Sequence, residues 1–303
     1  MTNLKVNIAG VSFKNPVITA SGCFGFGREY ECMYPLEKLG GISLKGMTFQ
    51  EKLGNPPPRI AETPSGMLNS VGLQNPGVEH FLEHDMPYLA KQDAVKIANI
   101  AGSSIEDYCA IAERLSDSEI DMFELNISCP NVKQGGAAFG SCCESAEGVV
   151  KEVRKYAKKP MIVKLSPNVT DIVSIAKAVE AQGADAVSLI NTLLGMRIDI
   201  NTRRPILKNN VGGLSGPAIF PVAVRMVWQV ANAVKVPVIG MGGIEKWQDA
   251  IEMMMAGANA IQIGAAMFYN PMAPVQVIEG MRKWLEDNHI EDINEIVGSV
   301  RPW

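Results

Sequence analysis

Cys129 stands in "ELNISCPN", residues 124–131, directly after an apolar run and between a serine and a proline. A thiol there has three readings: a small core filler, a metal or disulfide ligand, or the group that does chemistry. Two lysines are as conspicuous. Lys45 follows "GISL" and Lys164 follows "MIV", so each reaches inward from an otherwise apolar run. A buried ammonium is costly without a partner, which leaves an anionic ligand or a structural salt bridge as its company. Ser21, Asn99, Asn126 and Asn191 occupy corresponding positions at the ends of other apolar runs, and Gly242–Gly243 and Gly264 take that position on the last two. Any one of these is ordinary strand-end polarity. Together they describe a ring of hydrogen-bonding groups around one mouth, suited to a sizeable polar, planar ligand.

The glycines of "GMGG" and "IGAA" either make tight turns or leave backbone N–H groups open to an anion, and loops after the seventh and eighth strands of a barrel are a common phosphate grip. One phosphate group, hence a mononucleotide-type cofactor, is the expectation. "GCFGFG" has its glycines in the wrong order for a dinucleotide fingerprint.

The elements that must position these groups are legible. Apolar segments start at Pro16, Gly41, Ala94, Met122, Met161, Ala186, Val236 and Ala260, with helical patterns between them. Runs this apolar suit parallel strands buried on both faces. "TDIVSIAKAVEAQG" is the clearest helix: Thr170 as N-cap, Ile172, Ile175, Ala176 and Val179 as one stripe, Gly183 as terminator. Eight such units predict an α/β fold, a (β/α)8 TIM barrel, with residues 1–303 as one domain. A hairpin around Ala9–Gly10 is expected to plug its N-terminal end. Two connections, about residues 47–93 and 193–217, are too long for simple βα links and predict lids or binding elements at the C-terminal face.

Composition removes other classes of function. Of 303 residues, 47% are apolar and 20% charged, and the net charge of −4 comes without a clustered Lys/Arg stripe, so no nucleic-acid partner is expected. No run of about 18 apolar residues suggests a membrane helix. The opening "MTNLKVNIAG" lacks the apolar segment of a signal peptide, which predicts a cytoplasmic location and reduced thiols for the six cysteines. No C-x-x-C pair is present, and the Cys142–Cys143 pair lacks companions for a metal site. His80 and His84 in "EHFLEH" share a solvated helix face rather than a zinc-protease motif.

Several longer motifs then carry a resemblance. "ASGCFGFG", "RIAETPSGMLNSVGLQNPG", "ELNISCPNVKQGG", "VKLSPNVTDI", "LINTLLGMRIDI", "GGLSGPAIFPVA" and "IGMGGI", spread from Lys5 to about Pro271, resemble the dihydroorotate dehydrogenases, most of all class 1B, the flavin-bearing catalytic subunits of the NAD-linked bacterial enzymes. The resemblance implies an FMN barrel, one FMN per chain, that oxidises (S)-dihydroorotate to orotate in pyrimidine biosynthesis, with Cys129 as the base. It implies FMN contacts from Ser21, Lys45, Gly46, Asn99, Asn126, Lys164, Ile190, Gly216, Gly242, Gly243, Gly264 and Ala265. Substrate contacts are implied for Lys45, Asn69, Ser70, Val71, Gly72, Leu73, Asn126, Asn131, Asn191 and Thr192. Where such enzymes often have threonine this chain has Ala265, which implies a missing hydroxyl contact to the phosphate and weaker FMN retention. The resemblance further implies a homodimer of this chain and a partner subunit carrying FAD and a 2Fe-2S cluster, in a heterotetramer of two plus two. Alternatives that the residues leave open are a fumarate-dependent class 1A enzyme, a dihydropyrimidine-oxidising relative, and a flavin-binding barrel without catalysis.

Overall fold

The fold is that of a computed structural model, which describes residues 2–128 and 139–303. It opens with a hairpin, β1 (Val6–Ile8) and β2 (Val11–Phe13), in which Val6 stands opposite Phe13. Ala9 and Gly10 between them both take positive φ, 51° and 85°, the turn geometry that matches the twist of paired strands. β3 (Val17–Thr19) and β4 (Gly41–Ser43) begin the main sheet. β5 (Ile60–Thr63) and β6 (Gly66–Asn69) interrupt it. β7 (Val95–Ile100), β8 (Met122–Asn126), β9 (Met161–Lys164) and β10 (Ala186–Leu189) resume it. A second interruption holds β11 (Leu193–Gly195), β12 (Ile198–Asp199), β13 (Arg204–Pro205) and β14 (Gly212–Ser215). β15 (Val238–Met241) and β16 (Ala260–Ile263) complete the ring.

The eight main strands are parallel and close in the order β3-β4-β7-β8-β9-β10-β15-β16, with Gln262 of β16 opposite Ile18 of β3. All eight apolar segments read from the sequence are these strands. All their residues but the first two of β7 are buried, because helices cover the outer face while side chains fill the inner one. Burial of each large apolar side chain stabilises by about 1.5–3 kcal/mol, and the core runs continuously from Leu4 to Ile296.

Helix Ile172–Ala181 shows the covering layer at work, burying Ile172, Ile175, Ala176 and Val179 as its period requires. Its N-cap is Asp171, not Thr170. The Asp171 carboxylate accepts from the Val173 and Ser174 N–H groups at 3.0 and 3.1 Å, a reach that a residue one position earlier lacks. Gly183 follows the helix with φ 94°. His80 and His84 are exposed on one helical face, their rings stacked at 4.2 Å.

The two long interruptions join each other. β5 and β6 form a hairpin, β14 pairs with β6 so that Gly213 faces Asn69, and β11 adds beyond it, giving one antiparallel sheet in the order β11-β14-β6-β5. The approach is close: a Cβ on Gly213 would run into the Thr192 hydroxyl. No helix among the described residues is long and apolar enough to cross a membrane.

Candidate active site

The C-terminal ends of the barrel strands and the inner face of the inserted sheet enclose one cavity. Ser21, Lys45, Gly46, Asn99, Asn126, Lys164, Ile190, Gly216, Gly242, Gly243, Gly264 and Ala265 all line it, as do Asn69, Val71, Gly72, Leu73, Asn191 and Thr192. Ser70 does not. It is fully buried, its N–H bonded to the Arg59 carbonyl and its own carbonyl held by Asn55 Nδ2 at 2.9 Å. In an extended segment alternate residues face opposite ways, so Asn69 and Val71 take the cavity side and Ser70 the other. Cys129 and Asn131 lie outside the described residues.

The Asn69–Leu73 loop is pinned by a residue the sequence reading passed over. Asn75 Oδ1 accepts from the N–H groups of Thr48 and Gly77 at 3.1 and 2.9 Å. Its Nδ2 donates to Thr48 Oγ1 and to the Leu73 carbonyl at 2.8 and 2.7 Å. One buried amide thus ties the Asn69–Leu73 segment to the chain leaving β4. Across the cavity, Ser128 links two asparagines. Its hydroxyl donates to Asn126 Oδ1 and receives from Asn191 Nδ2, both at 2.8 Å. With Asn126 Oδ1 occupied in this way, its Nδ2 is the group available to a ligand.

Two cations converge. Lys164 is 5% exposed, and the Lys45 ammonium stands 4.0 Å from where a Cβ on Gly22 would be. Cys23, another residue absent from the sequence-based list, lines the same cavity. Burial pushes its thiol up to about 11, against the opposing pull of Lys164 and Lys45, so it is a neutral thiol at neutral pH. At the opposite end, Gly242 and Gly243 turn the chain with φ of 121° and 76°. A Cβ on Gly243 would stand 2.9 Å from the Gly216 carbonyl. Only glycine allows the β15 loop to come this close to Gly216.

The sequence reading also missed Glu124 and Gln262. Glu124 is fully buried and accepts four hydrogen bonds: from Ser43 Oγ at 2.8 Å and Asn99 Nδ2 at 2.6 Å on one oxygen, and from Ser188 Oγ and Gln262 Nε2 at 2.8 Å on the other. Burial acts to raise its pKa, but the Lys164 charge and these hydrogen bonds outweigh it and hold the carboxyl below the usual range. The signal was on the page: a single glutamate between Phe123 and Leu125, inside an apolar strand. Asn99 Oδ1 and Gln262 Oε1 are buried without a hydrogen-bond partner among the described residues, and both residues line the cavity.

This donor and acceptor set fits a flavin mononucleotide. The two amide oxygens suit a ring N–H and a hydroxyl donor, the two ammonium groups suit an electron-rich ring edge, and the glycine turns suit a phosphate. Among the described residues no group of three or more His, Cys, Asp or Glu could hold a metal ion.

Comparison with known proteins agrees with this geometry. A family model described as dihydroorotate dehydrogenase matches residues 3–285. A protein of Alkaliphilus metalliredigens is 59% identical over 298 residues, 98% of this chain and 99% of its own length. One of Thermoanaerobacter pseudethanolicus is 55% identical, covering 99% of each chain, and one of Bacteroides fragilis is 54% identical with the same coverage. Each of these relatives is named the catalytic subunit of dihydroorotate dehydrogenase B (NAD(+)).

Proposed function

This chain belongs to the dihydroorotate dehydrogenase family, and on that premise we propose that it is the catalytic subunit of an NAD-linked enzyme that oxidises (S)-dihydroorotate to orotate. The observation that carries the reading is the convergence of Lys45, Lys164, Asn99, Asn126 and Asn191 with the Gly242–Gly243 and Gly264 turns in one cavity at the barrel mouth.

The reaction removes a hydride from C6 and a proton from C5, leaving a C5=C6 double bond. Bound FMN, one per chain, supplies the hydride acceptor. The chain itself does the rest. Cys129, assigned from its motif, takes the C5 proton; a base of this kind contributes about 10²–10⁴-fold. Lys45 and the asparagines hold the anionic substrate, since amide donors such as Asn126 Nδ2 can bind it while adding no negative charge. Asn69, Val71, Gly72 and Leu73 close over it and exclude water, which strengthens every electrostatic contact inside. Lys164 and Lys45, both lining the cavity, would favour negative charge on the bound ring. Gly242, Gly243, Gly264 and Ala265 would hold the cofactor's phosphate, through backbone N–H groups left open by the glycine turns.

The name shared by the relatives, a catalytic subunit, supports a partner subunit. We assign to that partner FAD and a 2Fe-2S cluster, and to the assembly a heterotetramer built on a homodimer of this chain, in the cytoplasm, with no role for nucleic acid or membrane. An anaerobic titration of the purified chain with dihydroorotate tests the core of the proposal. Bleaching of the flavin absorbance with equimolar orotate is the expected result. A flavin that stays oxidised, with the partner subunit present, refutes the substrate.

A further inference from the structure

The inner layers of a (β/α)8 barrel each receive four side chains from alternate strands, and Val, Ile and Leu dominate them. One layer here departs from that rule entirely. Ser43, Glu124, Ser188 and Gln262 come from the second, fourth, sixth and eighth barrel strands. All four are buried, and all meet at the Glu124 carboxylate. Asn99, opposite Glu124 in the β7–β8 register, supplies the fourth donor.

The chemistry of the hub dictates the orientation of its partners. An ionised carboxylate only accepts hydrogen bonds, and its two oxygens offer about four sites, which these four donors fill. Asn99 and Gln262 must therefore turn their NH2 groups toward Glu124 and their oxygens away. Those oxygens are the two buried cavity-side acceptors that lack a partner among the described residues. A buried acceptor left unmet is costly, so a ligand donor belongs there. A neutral acid at position 124 would itself donate one hydrogen bond and an amide two, so one partner, or both partners on one side, would have to reverse.

Resting on the flavin site proposed above, we propose that Glu124 is the positioning residue of that site: as a carboxylate it fixes Asn99 and Gln262 as acceptors for donors of the cofactor, its one ring N–H and its hydroxyl groups, and its charge sets how strongly Lys164 favours the reduced ring. Glu124 does not line the cavity and does not touch the reacting atoms. It acts through Asn99, Gln262 and Lys164. The groups facing it from neighbouring strands are those four donors and the Lys164 ammonium.

The test compares the wild-type chain, Glu124→Gln, Ser43→Ala and Ser188→Ala, each reconstituted with FMN. The readouts are the FMN dissociation constant, the flavin midpoint potential and the melting temperature of the flavin-free chain. Glu124→Gln should weaken FMN binding by about tenfold or more, the cost of an acceptor turned the wrong way. It should also move the midpoint potential to more positive values, because a fixed negative charge near the reduced ring is gone. The serine variants each remove one hydrogen bond from Glu124, outside the cavity lining, and should weaken FMN binding by about two- to tenfold. They decide the matter if Glu124→Gln does not fold. Unchanged FMN affinity and potential alongside a lowered melting temperature would make Glu124 a structural residue only and overturn the inference. A wild-type chain that binds no FMN overturns the flavin reading and this inference with it, whereas a wild type that binds FMN and variants that match it overturn this inference alone.

Discussion

The two ends of the barrel are made from the same eight strands and have opposite chemistry. At the N-terminal end the β1–β2 hairpin packs Val6, Ile8 and Phe13 into the core. The Phe13 ring approaches β4 so closely that a Cβ on Gly41 would stand 2.9 Å from it. At the C-terminal end the strands finish in Lys45, Asn99, Asn126, Lys164 and Asn191, and the layer below is polar throughout. The difference shows how labour is divided along one strand. Residues near its start are chosen for packing, and residues near its end for what they can donate or accept. The inserted sheet makes the second role possible by shielding those groups from water.

The comparison breaks most sharply at Cys129. Cys129→Ala should lower the rate of flavin reduction by dihydroorotate about 10²–10⁴-fold while FMN stays bound, measured by stopped-flow absorbance. A variant that reduces its flavin at the wild-type rate removes Cys129 from the chemistry. The opposite signature belongs to the opposite end. Phe13→Ala should cost about 3–5 kcal/mol of stability and leave the rate per folded, flavin-bound molecule unchanged. If denaturant melts show the loss but turnover falls with it, the two ends are not independent.

The cover offers an intermediate case. Gly213→Ala forces a methyl group against Thr192 and should cost about 1–3 kcal/mol through overpacking. Because the disturbed residues are β14 and Thr192, the expected outcome is a raised KM for dihydroorotate with FMN affinity nearly unchanged. Acid sensitivity sharpens the contrast further. The Glu124 pKa lies below the unfolded value of about 4.3. Its contribution to stability is therefore fully present above that value and is lost as pH falls through the folded pKa. Glu124→Gln should flatten the fall in melting temperature below about pH 4.3, and an identical acid limb in both proteins counts against an ionised Glu124. The smallest effect is expected at Ala265. Restoring a hydroxyl with Ala265→Thr should tighten FMN binding by about 0.5–1.5 kcal/mol, and equal dissociation constants would show that the backbone grip suffices.

The barrel was legible in the sequence because each parallel strand is a continuous apolar run, and so was the ring of polar groups, because strand ends fall at regular places in such runs. Three features were not. The pairing of β6 with β14 joins residues 144 positions apart, and nothing local in either segment specifies the other. Ser70 sits inside a motif whose neighbours face the cavity, and only the alternation of the extended chain removes it. Glu124 was visible as a letter but not as a hub, since its four donors come from four other strands. Asp171 in place of Thr170 is a smaller lesson: two candidate caps stood side by side, and side-chain reach chose between them.

The composite origin of the cover also has a consequence for how this chain is made. The β5–β6 hairpin emerges from the ribosome early, yet the strand that pairs with the free edge of β6 is encoded 144 residues later. At synthesis rates of about 5–20 residues per second, that edge waits roughly 7–30 s for its partner. An unpaired strand edge is a docking point for other nascent chains. Slower translation across residues 70–212 prolongs that exposure, so the yield of correctly assembled protein should depend on elongation speed more than the stability of the finished barrel would suggest.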